Sequence, residues 1–184
     1  IKNLLPTLDS TVSLGLMEFV TAGNANDDGG FIRSAIQPLT DTAKASFGTQ
    51  LDTIYNNINS PDEKRNSHTP YGDLMYDVYN YFAGGNSYSP GGVLASIADS
   101  AGYTNPYTTF RSPLSADNTC GKSFVIFIGN PDASGPASDS ATNTATLNRL
   151  NGNTDASGAI IPVKQLGLPD FTTQNTTTTT NVGT

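Results

Sequence analysis

A run of five apolar residues, 124–128, constrains the fold of this chain more than any other stretch. It follows Lys122 and Ser123 and reads Phe-Val-Ile-Phe-Ile, and the next residues are Gly129 and Asn130. A strand with no polar face is typical of a sheet that helices cover on both sides. We therefore predict a core strand over residues 123–129. Asn130 would then lie at the carboxyl end of that strand, the edge where ligands of such sheets bind.

Four further segments show the periodicity of regular secondary structure. Two of them alternate between apolar and polar residues, as half-buried strands do. The other two repeat their apolar residues every three or four positions, as helices do, and Thr40 or Asp41 is placed to cap the first helix. The predicted elements are strands over 12–20, 31–37 and 123–129 and helices over 41–58 and 70–82. In chain order these are strand, strand, helix, helix and strand, which predicts an α/β domain with a largely parallel sheet and one antiparallel edge strand.

The start of the second predicted helix, Thr69-Pro70, has two interpretations. A threonine at the N-cap accepts a hydrogen bond from a free backbone N–H, and a proline at the first helical position has its φ angle preset. Capping alone therefore accounts for both residues. In the other interpretation the Thr69 hydroxyl keeps this position and binds a divalent cation, which prefers oxygen ligands. Asn130 leaves a similar choice between a turn residue, fixed by Pro131, and an amide-oxygen ligand.

Composition narrows the classes of function. The chain has 184 residues, enough for one domain with a core, and its net charge of -7 argues against binding to nucleic acid. No apolar run reaches the length of a membrane span, so no membrane insertion is expected. With one histidine (His68), one cysteine (Cys120) and no G-x-S-x-G sequence, the chain offers little for nucleophilic catalysis, and we predict that it is not an enzyme. Many Thr and Asn and few Lys favour an extracellular surface protein.

The last fifty residues differ from the rest of the chain. Residues 135–184 are rich in Ser, Thr and Asn and contain few large apolar side chains. We predict a domain over residues 1–134 and an extension or insertion over residues 135–184.

Five segments, taken in order, carry a resemblance to a known family. They are SLGLMEF, GGFIRSAIQPL, TPYGDLMYDVYNYF, SPL followed by a cysteine, and CGKSFVIFI. In order and spacing they resemble the von Willebrand factor A-type domain of the type IV pilus tip-associated adhesins (PilY/PilC-type), over about residues 1–134. The resemblance implies a Rossmann-like fold, with a mostly parallel sheet flanked by helices and an antiparallel edge strand.

The resemblance also implies a metal-ion-dependent adhesion site at the carboxyl edge of that sheet. Thr69 matches the family's threonine ligand, and Asn130 stands where the family has an aspartate. The family's D-x-S-x-S loop would precede residue 1, so the domain is expected to be incomplete, with its first strand missing. We expect Mg2+ or Ca2+ in the complete parent domain and none from this stretch alone.

The function that the resemblance implies is that of a non-enzymatic adhesion module at a type IV pilus tip, which mediates surface attachment and pilus assembly. Its expected partners are minor pilins or other pilus-tip proteins and a host or abiotic surface ligand. The alternative is a structural subunit of an extracellular surface or filament assembly in which the metal site is degenerate. A D-x-S-x-S sequence in the parent chain would favour the first of these two.

Overall fold

The computed structural model describes residues 1–20, 29–63, 71–88, 90–114 and 121–129. No helix within these ranges is long and apolar enough to cross a membrane. The predicted domain boundary at residue 134 lies outside them. A short 3₁₀ helix, Lys2–Thr7, precedes the regular elements, which are β1 (Ser13–Phe19), β2 (Gly30–Pro38), α1 (Asp41–Asn56), α2 (Tyr71–Ala83), β3 (Tyr103–Asn105) and β4 (Thr109–Phe110).

The first two strands form an antiparallel pair. Ser13 lies opposite Pro38 at one end and Phe19 opposite Gly30 at the other, with irregular register on both sides of Leu16. Gly15 lies in this irregular part, and a Cβ atom there would be only 2.9 Å from the backbone atoms Ile36 N and Ser34 O. The close approach of the two backbones at this bulge therefore requires a glycine.

Both predicted helices are confirmed, with ends within two residues of those predicted from periodicity. Thr40 caps α1, and its side-chain oxygen accepts a hydrogen bond from the Ala43 N–H at 3.2 Å. At the carboxyl end of α2, Gly84 has a φ of +69°. The Asn80 carbonyl accepts from the Gly85 N–H at 2.8 Å, so α2 ends in a left-handed glycine cap.

The core lies where β2, α2 and the small β3–β4 hairpin meet. Ile32, Tyr81, Tyr103 and Phe110 are buried there. The Phe110 ring stacks on Tyr103 at 5.2 Å and meets Tyr81 at 5.9 Å in an edge-on geometry. The sequence did not predict this hairpin, because its strands are two and three residues long and lie in a stretch rich in Gly, Ser, Pro and Tyr.

The predicted fold class is wrong. The described residues form only two antiparallel two-stranded sheets and contain no parallel sheet, so the chain does not have the Rossmann-like von Willebrand factor A-type fold. A parallel sheet needs a strand that returns beside an earlier one after a helical crossover. After α1 and α2, the only described strands are those of the separate β3–β4 hairpin, and side chains already cover the edge of β2.

The predicted core strand over residues 123–129 is also wrong. Residues 121–129 have no regular secondary structure and are exposed. Individual exposures within the apolar run, which denotes residues 124–128 from here on, range from 42% for Phe127 to 86% for Ile126. An apolar run forms a core strand only where neighbouring strands pair with it, and no described strand pairs with this run.

Candidate binding groove

The edge of β2 that faces away from β1 is covered by side chains from other elements. Four backbone N–H groups of β2 donate to such side chains, and those of Gly30 and Ile32, two residues apart in the strand, are donors that an edge strand otherwise exposes. These hydrogen bonds join Gly30 to Asp77 (2.8 Å), Ile32 to Tyr103 (3.0 Å), Ala35 to Asp99 (2.8 Å) and Ile36 to Tyr81 (2.9 Å).

Asp77 is the most deeply buried of these four side chains. Its second carboxylate oxygen accepts from the Tyr88 N–H at 2.9 Å, so one side chain connects β2 to the chain that follows α2. Burial raises the pKa of Asp77 to about 6, whereas its hydrogen bonds from Gly30 and Tyr88 act in the opposite direction.

Gly102 completes the cover of β2. It ends a short 3₁₀ helix, Ser100–Gly102, that Asp99 caps, and a Cβ atom on it would lie 2.6 Å from the Ile32 side chain. The Asp99 N–H donates to the Ile32 carbonyl at 2.9 Å, so this loop lies directly against the strand. Only a glycine allows so close a contact without moving the loop.

No described residue outside β2 covers the edge of β1 that faces away from β2 in this way. Within the described residues, the β1 backbone makes hydrogen bonds only to β2. A groove of about 510 Å³ adjoins this strand, and its lining includes Gly15 to Val20 along β1 and all five residues of the apolar run. The helices contribute Ile54, Leu74, Met75, Val78 and Phe82.

An aromatic contact holds the apolar run beside the groove. The Phe127 ring meets Tyr71 edge-on at 5.1 Å, and Tyr71 lies 6.0 Å from Phe19 at the end of β1. Phe127 is accordingly the least exposed residue of the run, whereas Phe124 and Ile126 are 80% and 86% exposed. No hydrogen bond joins the backbone of residues 121–129 to the other described residues.

A buried group of three charged side chains lies at the groove. Arg33 donates two hydrogen bonds to Glu63, at 2.7 and 3.1 Å, and approaches Glu18 at 3.6 Å. Glu18 therefore has an ionic contact with Arg33 but no hydrogen bond from it, and the buried Arg33 Nε has no hydrogen-bond partner among the described residues. Burial raises the pKa of Glu18 to about 7, Arg33 acts against this rise and Glu63 adds to it.

The sequence interpretation did not single out this group. A signal was present: Arg33 lies in the middle of a predicted strand, in register with Phe31 and Ala35, and an arginine is almost never fully buried unless it is paired. Its side chain is only 3% exposed. Which carboxylates would pair with it could not be read from the sequence, because Glu63 is 30 residues away.

Thr69 and Asn130, the predicted metal ligands, lie outside the described residues, as do Pro70, His68 and Cys120. The expected Mg2+ or Ca2+ site therefore stays a prediction. Among the residues that are described, no group of three or more His, Cys, Asp or Glu side chains is placed to hold a metal ion.

Comparison with protein families, with curated proteins and with solved structures found no match to this chain.

Proposed function

We propose that this chain is a non-enzymatic module of an extracellular surface or filament assembly, and that it joins another protein through the apolar run. The observation that carries the proposal is the exposure of this run. Four of its five side chains are more than half exposed, namely Phe124, Val125, Ile126 and Ile128. Contiguous apolar surface of this kind marks sites that another molecule covers.

The edge of β1 supports the same proposal. An uncovered edge strand exposes backbone donors and acceptors in a row, and proteins usually protect such edges with charges, prolines or short strands. In β1 the one charged residue, Glu18, is drawn towards Arg33 at the groove. The bare edge and the apolar run line one groove, which a partner could cover in a single step.

The place of action that we propose is the tip of a type IV pilus. The support is the order of the five sequence segments described above, together with an acidic, Thr- and Asn-rich composition. Minor pilins or other pilus-tip proteins are then the expected partners.

Replacement of the apolar run in the parent protein tests this function. In cells that display that protein, Phe124, Ile126 and Ile128 are changed together to Ser, and Tyr55→Ser is the matched control, because Tyr55 is 80% exposed but does not line the groove. We expect at least about a tenfold loss of surface pili or attached cells for the triple variant, and none for the control, at equal amounts of secreted protein. Normal pili and attachment in the triple variant would refute the proposal.

Metal-dependent adhesion is a second candidate, supported by the match of Thr69 to the family's threonine ligand, although Asn130 departs from the family's aspartate. Asn130→Asp supplies the carboxylate that the family has at this position, so it should tighten binding of Mg2+ or Ca2+ by the parent domain. Thr69→Val should weaken it. Calorimetric titration of the three proteins decides the matter: equal affinities for the parent and Asn130→Asp would leave Asn130 as a turn residue.

A further inference from the structure

The groove combines two features that together select the shape of its occupant. One wall is the edge of β1, whose backbone is bonded only to β2 within the described ranges. Another is the apolar run, with no backbone hydrogen bonds to the remaining described residues. A small apolar molecule could fill a volume of about 510 Å³, but it offers no row of backbone donors and acceptors. A β-strand offers both a row of such groups and apolar side chains.

We propose that the groove binds one β-strand of another protein chain, about six residues long, that pairs with the free edge of β1 and packs against the apolar run. This proposal rests on the proposed function and names the kind of partner that it requires. β1 has seven residues and the run has five, which sets the length of the strand. Its side chains should be apolar on both faces, because Leu74, Met75 and Val78 line the groove as well as the run.

Charge decides what else the partner strand carries. Glu18 and Glu63 both line the groove, and their only cationic partner among the described residues is Arg33. The three side chains together have one negative charge in excess when all are ionised. A Lys or Arg that the strand places opposite Glu18 would balance it. The same argument disfavours a second copy of this chain, since each copy has a net charge of -7.

The test uses labelled peptides and the 184-residue chain. The probe is a six-residue peptide of alternating Val and Ile with one Lys near its centre. Matched peptides carry Glu in place of Lys, or the same side chains with N-methyl groups on alternate amides. Fluorescence anisotropy gives the affinities. Hydrogen exchange, read by mass spectrometry, then locates the contact.

We expect the Lys peptide to bind at least about tenfold more tightly than the Glu peptide, and the N-methylated peptide not to bind, because it cannot form the ladder. Glu18→Gln should abolish the preference for Lys over Glu while binding persists. On binding, β1 should gain protection from exchange and β2 should not. Leu4→Ser serves as a control, because Leu4 is 57% exposed and does not line the groove.

Three results would overturn the proposal. They are no binding of the Lys peptide, binding of the N-methylated peptide as tight as that of the Lys peptide, or concentration-dependent dimers in sedimentation that the Lys peptide does not dissociate. The last result would assign the groove to a second copy.

Failure of the strand-pairing proposal is distinguishable from failure of the proposed function. If peptides do not bind but the triple Ser variant loses pili, the module joins its partner without strand pairing. If peptides bind but that variant is normal in cells, the assembly role fails.

Discussion

Along β2, four backbone N–H groups donate to side chains of Asp77, Tyr81, Asp99 and Tyr103, whereas along β1 no described group does the same. The four covering side chains are 45 to 71 residues away in the sequence from the groups they bind. The chain thus uses long-range contacts from three segments to protect one edge of a two-stranded sheet. Within the described residues, the other edge lacks such contacts and lies beside the apolar run.

Removal of Asp77 should have the largest effect on stability. Asp77→Ala leaves the N–H groups of Gly30 and Tyr88 without their acceptor in a buried place, and we expect a loss of about 4 kcal/mol in the free energy of unfolding, measured by urea denaturation. Asp52→Ala is the control, since its pair with Lys2 is on the surface and is worth about 1 kcal/mol or less. Similar losses for both variants would show that Asp77 does not protect the edge.

The pH dependence of stability tests whether the Glu18 carboxyl on β1 is desolvated. Its pKa is raised from 4.5 to about 7, so between these values the folded chain keeps a proton that the unfolded chain has lost. Stability therefore falls as the pH rises through this window and is constant above it. Glu18→Gln cannot ionise, so its stability relative to the parent should increase by up to about 3 kcal/mol between pH 4 and pH 8. A difference that does not change with pH would mean that Glu18 is not held in a desolvated position.

The hydroxyl of Tyr103 should contribute less than Asp77. Tyr103→Phe keeps the ring that stacks on Phe110 but removes the acceptor for the Ile32 N–H, so about 1.5 kcal/mol should be lost. Tyr107→Phe is the matched control, because Tyr107 is in contact with Tyr103 through its ring. Thermal unfolding followed by circular dichroism compares the two. Equal melting temperatures for both variants would contradict the role of the hydroxyl.

Substitution in the apolar run should have almost no effect on stability. Phe124→Ser changes a side chain that is 80% exposed, and we expect a change in unfolding free energy within about 0.5 kcal/mol. The contrast with Tyr103→Phe is the point of the measurement, since the smaller chemical change should have the larger effect. A loss above about 2 kcal/mol in Phe124→Ser would show that the apolar run belongs to the core.

The sequence predicted local structure well and long-range pairing poorly. Periodicity gave β1, β2, α1 and α2, because alternation and three-four spacing depend on neighbours in the chain. Thr40 was recognisable as a cap for the same reason. The pairing of strands and the acceptors of β2 could not be predicted, because no short-range pattern connects Ile32 with Tyr103.

The candidate site divides in the same way. The apolar run was evident in the sequence, but the expected cover on both faces is wrong for the described chain. Burial on both faces requires strands on each side, and an apolar composition does not reveal whether they are present. Glu18 was passed over because a single acidic residue in an alternating strand normally faces water.

The covered edge of β2 has a consequence for the size of any assembly that this sheet enters. With Asp99 and Gly102 closed over one side, the proposed pairing leaves only the β1 edge for a partner strand, so each module would join one partner through this sheet. A side chain at position 102 would push this loop away from Ile32 and open a second edge. Copies with two open edges could join in series without closure, the geometry that produces fibres. Gly102, which has no side chain, would in this way limit each module to one strand partner.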